Sequence, residues 1–273
     1  MTKPKLSFWQ IWNLSFGFLG VQIGYSLQNS NTSSIFESLG ADVSHLSYFW
    51  LAAPLAGMIV QPIVGLFSDG TWTRWGRRIP YILGGSLISA LALVLMPNCP
   101  KLLAFAPLAM GAFILLFMDL SFNVTMQPFR ALVADMLDDS QKTQGYVVQT
   151  FLINLGAVVG AILPLVMTWL GVSDEAAPGH VSPHIAYSYY AGGAILLLTV
   201  LVTSFKTREY PPGEFARYNN LSEEDAKPMS FVGLMRNVPG VMVRLGVTQF
   251  FSWAALFLMW TYDCLIIYNP HPN

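Results

Sequence analysis

The sequence predicts an all-α membrane protein that crosses the bilayer several times, and three observations support this prediction. Hydrophobic residues make up 54% of the chain and charged residues only 11%, whereas about a quarter of the residues in an ordinary soluble domain are charged. The mean hydropathy is +0.50. Long apolar stretches alternate with short polar segments, and each stretch is close to the roughly 20 residues that a helix needs to cross the hydrocarbon core. A water-soluble globular fold is therefore excluded.

Seven apolar stretches are predicted to be membrane-spanning helices, with boundaries accurate to about three residues. The first stretch is too long for a signal peptide, contains Gln22 and Gln28, and ends in NSNTSS rather than at a small-residue cleavage site, so we expect it to be retained. Polar residues, Pro and Gly separate the stretches, which cover residues 8–29, 46–67, 79–97, 102–127, 144–170, 185–205 and 241–262.

These stretches divide the chain unevenly. Residues 1–205 contain six of them, joined by short loops, and predict a six-helix bundle. Residues 206–240 form a long polar connection with a Pro-Pro-Gly turn and the acidic run 223–225, which predicts a cytoplasmic linker. Residues 241–273 contain a seventh helix and a polar tail too short to span again, so we expect this helix to lack its partners.

The basic residues predict the orientation of the chain and exclude several partners. With a cytoplasmic N-terminus, thirteen of the 14 Lys and Arg residues lie on the cytoplasmic side, and only Lys101 lies outside. We therefore expect a multi-pass protein of the inner or plasma membrane. The net charge is −1 and there is no basic run, which argues against nucleic acid as a partner. The two cysteines lie in no metal-binding pattern, so neither a metal nor a cofactor is expected.

The loop after the second stretch carries the most specific motif, GLFSDGTWTRWGRR. A glycine in a helix allows close helix packing, an aspartate at a helix end can pair with an arginine, and a basic cluster holds a loop in the cytoplasm. The simplest interpretation is a cytoplasmic turn rich in positive charge. The residues of the motif are Gly65, Asp69, Arg74, Gly76, Arg77 and Arg78.

This motif resembles the cytoplasmic signature loop of the major facilitator superfamily. Three further segments resemble the sucrose and maltose proton symporters of that superfamily: VQIGYSLQNS, FWLAAPLAGMIVQPIVGLFSDGTWTRWGRRIPYI and DLSFNVTMQPFRALVAD. The resemblance extends to about Tyr262. It implies a transporter built from two six-helix halves that works by alternating access. The chain is then the N-terminal half plus helix seven, is expected to be inactive alone, and would assemble with a missing C-terminal half.

Asp119, in the fourth stretch, is the strongest candidate for proton coupling because it is the only acidic residue deep inside a predicted span. An ionised carboxylate at that depth costs roughly 2.5 to 3.5 kcal/mol on insertion scales, so a function is expected for it. Asn123 and Gln127 follow at +4 and +8 on the same helix face, where their amides can bind a carboxylate or sugar hydroxyls. The alternative is an aspartate permanently paired with a buried cation.

Arg130 lies about 16 Å along the axis from Asp119, by the helical rise, so the two side chains cannot touch in a straight helix. The resemblance implies that the acidic residue of this helix and the arginine of the RAL segment both act in coupled uptake. The alternative for Arg130 is a cation at the cytoplasmic end that pairs with Asp69 or Asp135 and closes an inner gate.

A second polar stripe lies on the first stretch, where Gln22, Ser26 and Asn29 share a face and Tyr25 is nearby. An amide facing lipid would have no partner, so this face should point into the bundle or into a wet cavity. Amides suit sugar hydroxyls and an aromatic ring suits the apolar face of a sugar, although polar helix packing is an alternative.

Two other functions compete with sugar symport. Asp135, Asp138 and Asp139 form a DxxDD cluster of the kind that could hold magnesium in a membrane prenyl-transfer enzyme. A solvated acidic loop is the preferred interpretation, because no second Asp-rich motif faces the cluster from another loop. A transporter-like sugar sensor that regulates a full-length partner is the other alternative. Small residues such as Gly156 and Gly160 are expected to form helix-packing faces rather than sites.

Overall fold

The structure is a computed structural model that describes residues 3–41, 46–177, 179–219, 233 and 238–268. The regular elements of these described residues are all helices, with no β-strand among them, so the predicted all-α fold is confirmed. A 3₁₀ turn, Met96–Asn98, joins the third helix to the fourth. The helices are α1 Phe8–Ser38, α2 Leu46–Gly70, α3 Ile79–Leu95, α4 Cys99–Leu102, α5 Pro107–Met136, α6 Lys142–Trp169, α7 Pro183–Lys206, α8 Pro212–Tyr218 and α9 Gly240–Tyr268.

Most helix boundaries agree with the predicted stretches, but α1, α5 and α9 continue beyond them. α1 runs nine residues past the predicted end, since polar side chains of its last turns bond back to their own helix: Asn31 Nδ2 donates to the carbonyl of Leu27 at 3.0 Å and Thr32 Oγ1 to that of Gln28 at 2.6 Å. α5 begins later than predicted, at Pro107, and extends to Met136. An apolar pattern marks where a helix enters the hydrocarbon and not where its backbone hydrogen bonds end.

Several helices have the length and composition of membrane spans. Four such segments lie in the described part of the chain: Ile79–Leu102, Pro107–Met136, Lys142–Trp169 and Pro183–Lys206. The chain is therefore a multi-pass membrane protein. It divides into two compact units, residues Met1–Pro228 and Met229–Asn273. The second unit contains α9, and the first contains the bundle described next.

The bundle of the first unit is built around α1, which packs against both α6 and α7, while α5 packs against α2 and α3. Gly156 and Gly160 of α6 lie directly against the backbone of α1: a Cβ at these positions would lie 2.5 Å from the carbonyl oxygen of Leu19 and 2.6 Å from that of Ile23. The predicted glycine packing face is therefore confirmed, and it brings α1 and α6 close together.

Aromatic side chains fill the centre of this bundle. Phe18 of α1 stacks on Phe129 of α5 with ring centroids 5.3 Å apart, and both rings are fully buried. Nearby, the backbone N–H of Gly17 donates to Thr203 Oγ1 of α7 at 2.7 Å. These contacts fix α1 between α5 and α7, which decides which of its side chains face inward.

Candidate functional site

A buried carboxylate and a buried amide meet where α5 packs against α1. Asp119 is 1% exposed and Gln28 is fully buried. The amide Nε2 of Gln28 donates to Oδ1 of Asp119, across 91 residues of sequence. In the described part of the chain, Asp119 Oδ2 and Gln28 Oε1 are buried without a hydrogen-bond partner. The pair therefore keeps one free carboxylate oxygen and one free amide oxygen.

Asn123 extends this polar contact one turn further along α5. Its Nδ2 donates to the backbone carbonyl of Asp119 at 2.8 Å, and its Oδ1 accepts from Gln61 Nε2 of α2 at 2.6 Å. Both amides are half-buried. Polar side chains of α1, α5 and α2 thus form one connected group, which we call the interior site: Gln28, Gln61, Asp119 and Asn123.

The predicted polar stripe of α1 is split between different surroundings. Ser26 Oγ donates to the carbonyl of Ala157 in α6 at 2.8 Å, so its hydroxyl is used in helix packing. Asn29 is exposed and donates to the carbonyl of Tyr25 in its own helix. Tyr25 is half-buried and lies edge-on to Phe122, with centroids 5.7 Å apart. Gln22 is half-buried beside the α1–α6 contact.

Gln127 and Arg130 lie on the cytoplasmic side of Asp119 along α5. Gln127 is half-buried, and Arg130 is exposed. Within the described residues, no ion pair is formed by Arg130. The alternative in which it pairs with Asp69 or Asp135 is wrong, because those carboxylates bind two other arginines, Arg78 and Arg77.

Arg77 and Arg78 belong to a dense group of charges at one end of the bundle. The buried guanidinium of Arg78 contacts Asp69 at 2.5 Å, Asp135 at 3.0 Å and Ser68 Oγ at 2.6 Å. Arg77 contacts Asp135 at 2.6 Å. The end of α2, the start of α3 and the end of α5 are therefore held together. We call this group, with the glutamate described next, the bundle-end cluster: Ser68, Asp69, Arg77, Arg78, Asp135 and Glu209.

Glu209, just after α7, caps the N-terminus of α3. Its carboxylate accepts hydrogen bonds from the backbone N–H groups of Arg77, Arg78 and Ile79 at 3.0, 2.8 and 2.9 Å. The first N–H groups of a helix have no partner within it, and the helix dipole favours a negative charge there. Burial raises the pKa of the Glu209 carboxyl, against the lowering effect of these bonds.

Gly76 makes this cap possible. Its φ of +116° is unfavourable for residues with a side chain, and a Cβ there would collide with the Glu209 carboxylate. The guanidinium of Arg77 also lies 4.2 Å from the ring centroid of Phe215 in α8. The signature loop is therefore held from the linker side as well as from α2 and α5.

Two interpretations of the sequence need correction. A Cβ at Gly65 would meet no atom within 4 Å among the described residues, so the described part of the chain shows no close helix approach at this glycine. The DxxDD carboxylates do not converge: Asp135 binds arginines, Asp138 accepts from Ser140, and Asp139 pairs with Lys142 at 2.6 Å. Among the described residues, no group of three or more His, Cys, Asp or Glu side chains could hold a metal ion.

Two important residues, Gln28 and Glu209, were not among the predicted site residues. Gln28 was visible in the sequence as an amide inside an apolar stretch, which is the same signal that identified Asp119. Glu209 gave no such signal, because it lies in a polar segment with many other charges. The acidic run 223–225 of the predicted linker, in contrast, lies outside the described residues.

Comparison with known proteins gives consistent matches. The sequence matches the family MFS/sugar transport protein over residues 35–265. It is 26% identical over 268 residues to the sucrose transport protein SUT1 of Oryza sativa subsp. japonica, covering 89% of this chain and 50% of that protein. It is 27% identical over 279 residues to the sucrose transport protein SUC4 of Arabidopsis thaliana, covering 93% and 54%.

A fungal permease matches this chain with similar identity and similar coverage. The general alpha-glucoside permease of Schizosaccharomyces pombe is 26% identical over 285 residues, covering 95% of this chain and 49% of the permease. The chain therefore spans about half the length of the curated relatives it matches.

Proposed function

Because this chain belongs to the MFS/sugar transport protein family, we propose that it forms part of a proton-coupled symporter for a disaccharide or a related glucoside. The names of its relatives, sucrose transport proteins and an alpha-glucoside permease, support the class of substrate. They also favour transport over prenyl-transfer catalysis. We propose that the protein works by alternating access in the plasma or inner membrane.

The observation that carries the proposal is the interior site. A buried carboxylate bound to an amide can exist in two protonation states without losing that contact. Ionised Asp119 accepts from Gln28 Nε2. Protonated Asp119 has an O–H that can donate, and Gln28 Oε1 and a sugar hydroxyl are both suitable acceptors. Taking up a proton therefore changes what the site offers to a sugar, which is the requirement for coupling.

The sugar is proposed to bind beside this carboxylate. Asn123 and Gln127 on α5 provide amides, and Tyr25 on α1 provides an aromatic face for a pyranose ring. Gln22 and Asn29 complete the proposed set on α1, whereas the hydroxyl of Ser26 is already used in packing against α6. Arg130 is exposed and has no ion-pair partner among the described residues, so it is available for a substrate or for a gate contact with another part of the transporter.

The bundle-end cluster is proposed to act as a gate. It lies at a loop that joins two spanning helices, and its ion pairs and cap link three helices and the linker. Breaking and reforming such contacts is a means of switching a bundle between two arrangements. Basic residues collect at this end, since Lys3 Nζ donates to the carbonyl of Ala134 and Lys142 lies at the start of α6. By the positive-inside rule, we propose that this end and the N-terminus are cytoplasmic.

The length of the relatives supports a transporter that is larger than this chain. They are about twice as long as this chain, and alternating access in this superfamily moves two halves against each other. We propose that transport requires a second half, and that the 273-residue chain alone does not accumulate sugar.

The test replaces Asp119 by asparagine in a transport-competent assembly that contains this chain. Asn keeps the size and hydrogen bonding of Asp but cannot titrate. Uptake of labelled sucrose and maltose into proteoliposomes is measured with an inward proton gradient, together with exchange of sugar at equal pH. We expect Asp119→Asn to lower gradient-driven accumulation at least tenfold while part of the exchange remains.

Asp139→Asn is the matched control, since its side chain is 92% exposed and lies at the end of the bundle. It should behave like the wild type. Gradient-driven accumulation by Asp119→Asn at the wild-type level would contradict the proposed role of Asp119. Saturable accumulation by the 273-residue chain alone would show that no second half is needed. Sugar binding without any flux in the full assembly would favour the sensor alternative.

A further inference from the structure

A cavity of about 550 Å³ lies at the cytoplasmic end proposed above, away from the interior site. It is formed between the loop of residues 72–76 and the segment of residues 204–211, both within the first unit. Its volume is in the range of small-molecule sites. The side chains that line it include those of Trp72, Arg74, Trp75, Ser204, Arg208 and Glu209.

The cavity carries hydrogen-bond donors without matching acceptors. Arg74 and Arg208 are exposed, and neither forms an ion pair with any described residue. Ser204 Oγ is buried and has no hydrogen-bond partner in the described structure. Among the described residues of the wall Glu209 is the only carboxylate, and its oxygens already accept backbone N–H groups of the α3 cap. Two guanidinium groups and a hydroxyl therefore remain for a ligand, which suits a phosphate group.

The wall beside these donors is aromatic and apolar. Trp72 is 42% exposed, Trp75 49% and Phe205 74%. Phe205 belongs to the last turn of α7, one of the spanning helices, so the cavity lies where that helix leaves the hydrocarbon. Tryptophan is enriched at this depth of a bilayer, where its ring contacts acyl chains and its N–H reaches polar groups. A free phosphate ion would gain nothing from this apolar wall, whereas a phospholipid has both a phosphate and acyl chains.

We propose that this cavity binds the headgroup of an anionic phospholipid of the cytoplasmic leaflet. Arg74 and Arg208 bind the phosphate, Ser204 donates a hydrogen bond, and Trp72 and Trp75 pack against the glycerol and the upper acyl chains. Basic pockets at the cytoplasmic side of spanning helices are suited to such headgroups. The bound lipid would join the signature loop to the end of α7, the same two segments that Glu209 joins.

Lipid binding to the purified 273-residue chain in detergent tests this proposal by native mass spectrometry. Dioleoylphosphatidylglycerol is compared with dioleoylphosphatidylcholine, for the wild type and for Arg74→Gln/Arg208→Gln. We expect the wild type to bind phosphatidylglycerol at least tenfold more tightly than phosphatidylcholine, and the double variant to lose this preference. Lys5→Gln/Arg217→Gln removes two exposed basic residues outside the cavity and should bind within twofold of the wild type.

A second measurement is independent of the arginine variants. Phosphatidylglycerol with brominated acyl chains should quench the fluorescence of the wild type more strongly than that of Trp72→Phe/Trp75→Phe. Equal affinity for the two lipids, unchanged binding by Arg74→Gln/Arg208→Gln, or equal quenching of both proteins would overturn the proposal. Complete displacement of phosphatidylglycerol by millimolar inorganic phosphate would show a free-phosphate site instead and would also overturn it.

Discussion

The interior site and the bundle-end cluster are both built from carboxylates, but their carboxylates differ in the number of partners they have. Asp119 has one side-chain partner, and its second oxygen is buried without one among the described residues. At the bundle end, Asp135 accepts from two guanidinium groups and Glu209 from three backbone N–H groups. A carboxylate with one partner and a buried free oxygen is suited to exchange protons and ligands, whereas one that accepts from two or three donors on other segments is suited to hold those segments together.

This difference leads to opposite expectations for substitutions. Changes at the bundle end should reduce stability most, since they leave buried charges and N–H groups without partners. Changes at the interior site should reduce coupled transport most, with a smaller effect on stability. The following predictions test this contrast, from the largest expected effect on stability to the smallest.

Arg78→Gln should be the most destabilising of these variants. The arginine side chain is 7% exposed, and its loss leaves Asp135 and Ser68 with fewer partners. We expect a loss of about 3 kcal/mol, near the lower end for a broken buried ion pair, because Asp69 is 56% exposed and can be hydrated. The measurement is thermal unfolding of the purified chain in detergent. Arg217→Gln, on an exposed side chain of α8, should change the stability by less than about 0.5 kcal/mol. Equal stability of the two variants would show that the cluster does not hold the bundle end together.

Glu209→Ala should have the next largest effect, because it leaves the N–H groups at the start of α3 without an acceptor. We expect a loss of about 2 kcal/mol, within the range for buried unsatisfied donors. Glu209→Gln retains an acceptor oxygen and should lose about half as much. Both are measured by the same thermal unfolding at neutral pH. An alanine variant as stable as the glutamine variant would mean that the cap contributes little.

The contribution of Glu209 to the free energy of unfolding should depend on pH, and the sign of this dependence follows from its pKa. Burial raises the pKa of Glu209 above its ordinary value of 4.5, so the native state binds this proton more tightly than the unfolded state does. The resulting stabilisation is fully present below the ordinary pKa and is lost as the pH rises through the raised value. Acidification from neutral pH should therefore stabilise the wild type relative to Glu209→Gln, which cannot titrate. A constant difference in stability between the two across this range would contradict the assigned pKa direction.

Gln28→Met should be the least destabilising of these variants. Its effect on coupled sugar transport should nevertheless be large. Methionine has a similar volume, and Asp119 can become neutral by binding a proton, so we expect a loss of stability of about 1 kcal/mol. Gradient-driven sugar accumulation in the transport-competent assembly should nevertheless fall at least tenfold, because the carboxylate loses its hydrogen-bond partner. Gln149→Met is the control: Gln149 is also buried, but its Nε2 donates to the backbone carbonyl of Phe129 at 3.1 Å. Similar transport by the two variants would remove Gln28 from the proposed mechanism.

Much of the fold could be predicted from sequence because membrane insertion depends on local composition. A helix in hydrocarbon must satisfy its own backbone hydrogen bonds, so a run of about 20 apolar residues largely determines a spanning helix. α2, α3, α6 and α7 accordingly lie within three residues of the predicted stretches. The helix ends in polar sequence were less predictable, as α1 and α5 show, because polar side chains can continue a helix outside the hydrocarbon.

The sequence by itself determined which residues are unusual: a carboxylate inside an apolar stretch, and a charged loop with Gly, Asp and Arg at fixed positions. Only the tertiary structure decided their partners. Gln28 and Asp119 are 91 residues apart, and Glu209 is 131 residues from Arg78, so no local spacing connects them. Hydrophobicity and helical period fix which residues are helical, but the packing of α1 between α5, α6 and α7 fixes which side chains meet. For that reason the alternative pairing of Arg130 with Asp69 or Asp135 could not be tested from sequence, and in the structure these carboxylates bind Arg77 and Arg78.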